Sequence, residues 1–158
     1  MTSIPAASSP LGLIQRAIGL LNSIPFSALV LVARISTFSV FFRSGLVKLA
    51  DWNATLMLFQ NEYHVPILPP AIAAVMAASM ELGLSSLVLI GLFTRLGVTG
   101  LLGMVLVIQT LVYPEAWPDH IQWLGFMIFI LCRGPGLISV DALIGRALKL
   151  QVALPNDR

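Results

Sequence analysis

Glu81 is the only charged residue in the run from Ala71 to Phe93, and a lone carboxylate in such a run has few reasons to be there. A charged side chain at the centre of a lipid-embedded helix costs roughly 2.5–3.5 kcal/mol on the insertion scale, so it is kept for a partner, a substrate or a proton path. Arg34 is the expected partner. It stands in a second apolar run, Phe26 to about Leu49, that also holds Arg43 and Lys48. At 1.5 Å per residue, Arg34 lies about 22 Å from the outer end of its run and Glu81 about 15 Å from the start of its own. The arginine side chain can bridge the remaining offset of about 7 Å, and pairing would relieve both burial penalties. Arg34, Phe41, Gly45 and Lys48 fall within about 40° of one helix face, whereas Arg43 falls opposite, beside Ser36 and Ser39. Around Glu81 the spacing gathers Ala74, Ala77, Ala78 and Ser85, small residues that admit a neighbouring helix. The candidate polar centre is therefore Arg34, Glu81 and Lys48, together with Gln109, the one strongly polar side chain in a third apolar run. Arg43 and His120 are secondary candidates. Two readings stay open for the pair: a device that fixes the register of two helices, or the wall of a polar cavity.

Other chemistries find little support. His64 and His120 have no Glu or Cys at ligand spacing, so no metal site is expected, and both read as interfacial histidines. A bis-histidine haem would need them at one depth on facing helices, and His64 falls in a loop. Cys132 is the single cysteine; there is no C-x-x-C and no intramolecular disulfide. Basic residues are scattered, without the dense patch that nucleic acid requires. Met76, Met80, Met104 and Met127 read as apolar filling. No intrinsic cofactor is expected, and the chain is not expected to be an enzyme on its own.

These residues must be positioned by membrane helices. The chain is 58% hydrophobic and 10% charged, with a mean hydropathy of +0.93. Soluble domains run at roughly 45–50% apolar and about 25% charged, so lipid is this chain's solvent. Four spans are expected, at about 26–49, 71–92, 96–114 and 119–133, within a domain covering 26–146. The fourth, centred on Ile121 to Cys132, needs Asp119, His120 and Arg133 as snorkelling ends. Pro66, Pro69 and Pro70 precede the second span, Thr94-Arg95 is read as the turn before the third, and Pro114 and Pro118 bracket the turn before the fourth. No cleaved signal peptide is expected, since Arg34 and Arg43 interrupt the first run and no A-x-A site follows.

Four spans leave both termini on one side. That side carries Arg16, Arg95, Arg133, Arg146, Lys149 and Arg158, while the other carries Lys48 against Asp51, Glu62, Glu115 and Asp119. The excess of Lys and Arg marks it as cytoplasmic. Trp52, Tyr63, Tyr113, Trp117 and Trp123 then form an outer aromatic belt. Within the N-terminal segment 1–25, Leu11 to Ile24 reads as a cytoplasmic interfacial helix. Trp52, Leu56, Phe59 and Tyr63, after the N-cap Asp51, read as an outer helix lying on the membrane. Ser139, with Asp141, caps a last amphipathic helix through Lys149, ahead of the tail 147–158. Gly97, Gly100 and Gly103 form a close-packing stripe, internal or between protomers of a homo-oligomer. The fold class is thus an all-α polytopic bundle of four transmembrane helices with short interfacial helices.

A family resemblance adds to this reading. Arg34, the run Gly45-Leu46-Val47-Lys48, Glu81, the turn Gly91-Leu92-Phe93-Thr94-Arg95, the stretch Tyr113 to His120, and Arg133-Gly134-Pro135-Gly136-Leu137-Ile138-Ser139-Val140-Asp141 follow one another in an order that resembles the DoxX family of small four-helix proteins of the bacterial inner membrane. The resemblance covers roughly residues 28 to 146. It implies an accessory or quinone-linked membrane component of a redox or oxidative-stress system, with quinone or a partner oxidoreductase supplying the redox group. Two alternatives accompany it: a small proton-coupled transporter using Glu81, weakened by the lack of an inverted repeat or broken helix, and a non-catalytic membrane scaffold.

Overall fold

The four apolar runs are helical in the computed structural model, which describes residues 10–63 and 65–148. The helices are α1 (Pro10–Asn22), α2 (Phe26–Ala50), α3 (Trp52–Asn61), α4 (Pro70–Ile90), α5 (Thr94–Val107), α6 (Trp117–Arg133) and α7 (Val140–Ala147). Between α5 and α6 the chain passes through a π-helical turn, Ile108–Val112, and a 3-10 turn, Pro114–Ala116. No strand occurs among the described residues. His64, Lys149, Arg158 and the two terminal tails lie outside them.

Helices apolar on every side belong in lipid or in a large core. Among the described residues, three helical stretches are long and apolar enough to cross a membrane: Phe26–Ala50, Pro70–Ile90 and Thr94–Val112. α6 has 17 residues. These elements close on one another, α2 touching α4 and α6, and α5 touching the same two. Their shared core is Ala33, Phe41, Val88, Val98, Leu101, Val105, Met127 and Ile130. Val32, Val47, Leu96, Leu106 and Ile128 point outward and are exposed, so apolar surface lies on both sides of the same helices.

Local signals explain the ends. Proline at the first position of α4 has the φ a helix needs and no N–H to strand. Asp51 caps α3, accepting from Ala54 N at 2.9 Å, and Ser139 caps α7, accepting from Ala142 N at 3.1 Å. The turn between α4 and α5 sits one step earlier than Thr94-Arg95. Gly91 ends α4 at φ +75, Phe93 follows at +47, and Thr94 already opens α5. A side chain at Gly91 would be strained at that φ, and its Cβ would come within 2.7 Å of Arg34 Nη2.

Two expected interfacial features are instead internal. The apolar stripe of α3 does not face outward. Phe59 packs with Ala73 and Ala74 of α4, supported by Trp52, Leu56 and Tyr63. Trp123 leaves the aromatic belt for the interior, edge-on to Phe41 at 5.8 Å and tilted against His120 at 4.9 Å. In α1, Leu11, Ile14, Ile18 and Leu21 are all exposed. Of the glycine stripe, Gly97 and Gly100 serve α4–α5 packing: a Cβ there would meet Val88 Cγ2 at 3.2 Å and Leu84 Cδ1 at 2.5 Å. A Cβ on Gly103 would meet nothing within 4 Å.

Candidate functional site

Two ionic centres lie along the contact between α2 and α4, and they differ from the arrangement expected. Arg34 and Glu81 form no ion pair. Glu81 pairs with Lys48, whose Nζ stands 2.8 Å from both carboxylate oxygens. Ser44, one turn before Lys48, accepts from Nζ at 3.0 Å and donates to Glu81 Oε1 at 3.1 Å. Gly45 makes this possible. A Cβ at that position would stand 2.7 Å from Leu82 Cγ and 3.3 Å from Glu81 Cβ, so only glycine lets α2 and α4 approach this closely.

Arg34 has other partners. Its Nε donates to Val88 O at 2.8 Å, Nη1 donates to Pro135 O at 3.0 Å and Ile138 O at 2.5 Å, and Nη2 donates to Leu89 O. The last turn of any helix leaves carbonyls without intrahelical donors. Here the end of α4 and the segment leading to α7 present theirs to one guanidinium, a planar fork with five donors. Asp141 completes this end by accepting from Phe93 N at 2.8 Å, Thr94 N at 3.0 Å and Thr94 Oγ1 at 2.9 Å. From the first turn of α7 it therefore caps α5 and holds Phe93 in its left-handed conformation.

The Lys48–Glu81 centre opens onto a cavity of about 430 Å³. Apolar groups form most of its wall, Phe41, Met76, Met80 and Met104 among them, and Phe59 of α3 with Tyr63 just beyond that helix closes one side. Ser44, Lys48, Glu81 and His120 supply polarity. Lys48 keeps 16% of its side chain exposed and Glu81 4%, which places the pair at the cavity surface, with the carboxylate deeper.

His120 is not interfacial. It is 2% exposed, and its Nδ1 lies 2.6 Å from Gln109 Oε1. The π-helical turn sets this contact: Tyr113 N bonds Ile108 O at 2.8 Å, and the widened turn directs Gln109 Nε2 to Pro114 O at 2.7 Å. Gln109 thus reaches the site through His120 and does not itself line the cavity. At the rim, Tyr113 stacks edge-on to Tyr63 at 5.6 Å and donates its phenol hydrogen to Glu62 Oε1. Desolvation first, and that hydrogen bond second, push the Tyr113 phenol well above its ordinary value of 10.0.

The remaining candidates fall away from the cavity. Arg43 is exposed on the outer face of α2. Arg95 donates to Leu131 O at 3.2 Å, and Arg133 lies over the Phe26 ring at 5.4 Å, both bracing helix ends. Cys132 is exposed. Among the described residues no group of three or more His, Cys, Asp or Glu side chains could hold a metal ion.

Sequence reasoning placed His120 and Trp123 at the membrane surface, although both line the cavity. One signal was available: Gln109 and His120 are polar residues at the facing ends of two apolar runs, joined by the segment 110–119. Among known proteins, no curated protein and no solved structure matches this chain. The DoxX family model matches residues 29–114, a segment that contains Arg34, Ser44, Lys48, Glu81 and Gln109 and stops short of His120.

Proposed function

This chain belongs to the DoxX family, the match covering 86 of its 158 residues, and from that membership we propose that it holds a quinone-class ring ligand as an accessory membrane component of a redox or oxidative-stress system. One observation carries the reading: a buried ion pair, Lys48–Glu81, set on the wall of a mostly apolar cavity within the matched segment. A charge pair used only for stability gains little there, because well-packed apolar residues do as well or better. Small-molecule sites combine a concave apolar wall with a few convergent polar groups, and this cavity has that composition. Its volume lies within the range of about 300–1,000 Å³ seen for such sites. The apolar wall suits an isoprenoid or alkyl tail, and the ion pair, Ser44 and His120 suit ring oxygens.

The same reading has α2, α4, α5 and α6 as four crossings of the bacterial inner membrane, with both termini cytoplasmic. α6 is about 26 Å long at 1.5 Å per residue, short of the roughly 30 Å hydrocarbon core, and the 3-10 turn before it together with Asp119 and Arg133 makes up the difference. The ring ligand or a partner oxidoreductase brings the electrons.

The test is to purify the full chain in mild detergent with lipid retained, extract it with organic solvent and analyse the extract by mass spectrometry. A quinone or related ring lipid is expected in near-equal amount to protein, and depleted in Glu81→Gln. An extract holding only phospholipid, from protein that also fails to take up added quinone, would overturn the proposal.

A further inference from the structure

The hydrogen-bonding groups around the cavity decide which state of a ring ligand it holds. An ammonium has three N–H donors and no acceptor. All three of Lys48 are in use, toward Ser44 Oγ at 3.0 Å and toward Glu81 Oε1 and Oε2 at 2.8 Å each. The Ser44 hydroxyl spends its only hydrogen on Glu81 Oε1. The ionic side of the cavity therefore has no donor left. It does have an acceptor, because Glu81 Oε2 receives a single bond and a carboxylate oxygen takes two.

The same accounting fixes His120. Pro114 O is a carbonyl and can only accept, so the Gln109 amide turns its NH₂ toward it and leaves Oε1 facing the imidazole. Oε1 in turn can only accept, so His120 Nδ1 must carry the hydrogen. In a neutral imidazole, Nε2 is then a bare lone pair. Nε2 has no partner among the described residues, yet no buried side-chain nitrogen or oxygen among them is sealed off without one. It opens into the cavity that His120 lines.

On the ionic and histidine sides both open valences are acceptors, the Tyr63 and Tyr113 phenols standing together at the rim. A carbonyl oxygen brought to them meets lone pairs, whereas a hydroxyl meets what it needs. We infer that this cavity selects its ring ligand in the reduced, hydroxyl-bearing state, a hydroquinone in preference to the quinone, with His120 Nε2 and Glu81 Oε2 accepting the two hydroxyl hydrogens and Gln109 as the positioning residue that sets the histidine tautomer. The inference rests on the quinone-class reading of the cavity and adds to it the oxidation state.

The experiment is anaerobic calorimetric titration of the full chain in detergent with decylubiquinone and with the same compound reduced to its hydroquinone. One hydrogen bond to an ionised acceptor distinguishes the forms by at least about tenfold in affinity, hydroquinone being the tighter. His120→Phe keeps a ring against Trp123 but removes the lone pair, and the ratio falls to near one. Gln109→Met leaves the histidine in place and frees its tautomer, so the ratio drops to about threefold even where the phenylalanine variant fails to fold. Equal or tighter binding of the quinone overturns this inference and leaves the ligand class standing. A ratio unchanged in both variants overturns the assignment to His120. Binding of neither form overturns the ligand class and this inference with it.

Discussion

The contact between α2 and α4 carries a charge centre toward each end, and the two centres work in opposite ways. At one, Arg34 is 1% exposed and surrounded by main-chain carbonyls from α4 and the segment before α7. At the other, Lys48 and Glu81 meet side chain to side chain beside a cavity. Carbonyls at helix ends cannot be exchanged for anything else without moving the backbone, so a cation that satisfies them belongs to the architecture. A carboxylate beside open volume can trade one partner for another. Burial alone does not separate these roles; what the charge is bonded to does.

The largest effect is expected at Arg34. Arg34→Met strands the carbonyls of Leu89, Pro135 and Ile138, leaves Val88 O only its bond from Gly91 N at 3.2 Å, and is expected to destabilise by about 3–5 kcal/mol, read as lost yield and early thermal unfolding in detergent. Arg34→Lys should fare almost as badly, since an ammonium cannot reach four carbonyls in a fork. Wild-type melting in either variant would remove the distinction.

Next comes the ion pair. Glu81→Gln or Lys48→Met alone leaves one charge uncompensated at the cavity wall and should cost about 1–3 kcal/mol. The double variant Lys48→Met/Glu81→Met is expected to regain most of that stability while losing ligand. Recovery of both stability and ligand would make the pair purely structural and collapse the two ends into one kind. Asp141→Asn weakens two backbone contacts to the start of α5, and a loss of about 1 kcal/mol is expected, measurable as a small fall in melting temperature.

The smallest effect is at the rim. The Tyr113 phenol is held above 10.0 when folded, so its contribution to stability is complete below that pH and fades as pH rises through the folded value. Phenolate absorbance should therefore rise later in native than in unfolded protein, and Glu62→Gln should move the native titration back down. Coincident titrations would contradict the Tyr113–Glu62 hydrogen bond.

The helices were readable because lipid leaves a coarse signature: long apolar runs, proline before α4, glycine after it. The charged residues were readable as well. Their pairing was not, for two physical reasons. A search for a partner to Arg34 looks for an anion, and backbone carbonyls freed at a helix end have no letter in the sequence. Equal depth also implies contact only where neighbouring helices end level. Gly45 stands opposite Glu81 and Leu82, so α4 runs about 16 Å beyond that level, through Pro70, whereas α2 runs about 7 Å, to Ala50. The overhang of about 9 Å brings Lys48, not Arg34, to the carboxylate. Burial of His120 depended on a π-helical turn, which composition does not announce.

Arg34 donates to oxygens 101 and 104 positions further along the chain. Synthesis runs from the N-terminus, so the guanidinium enters the bilayer long before Pro135 and Ile138 have been made. During that interval its hydrogen-bonding needs are met only in part, and an unfinished polypeptide stays distinguishable from a finished one by a single undersupplied cation in its first long helix. Completion of the C-terminal segment supplies the last two of that cation's four acceptors.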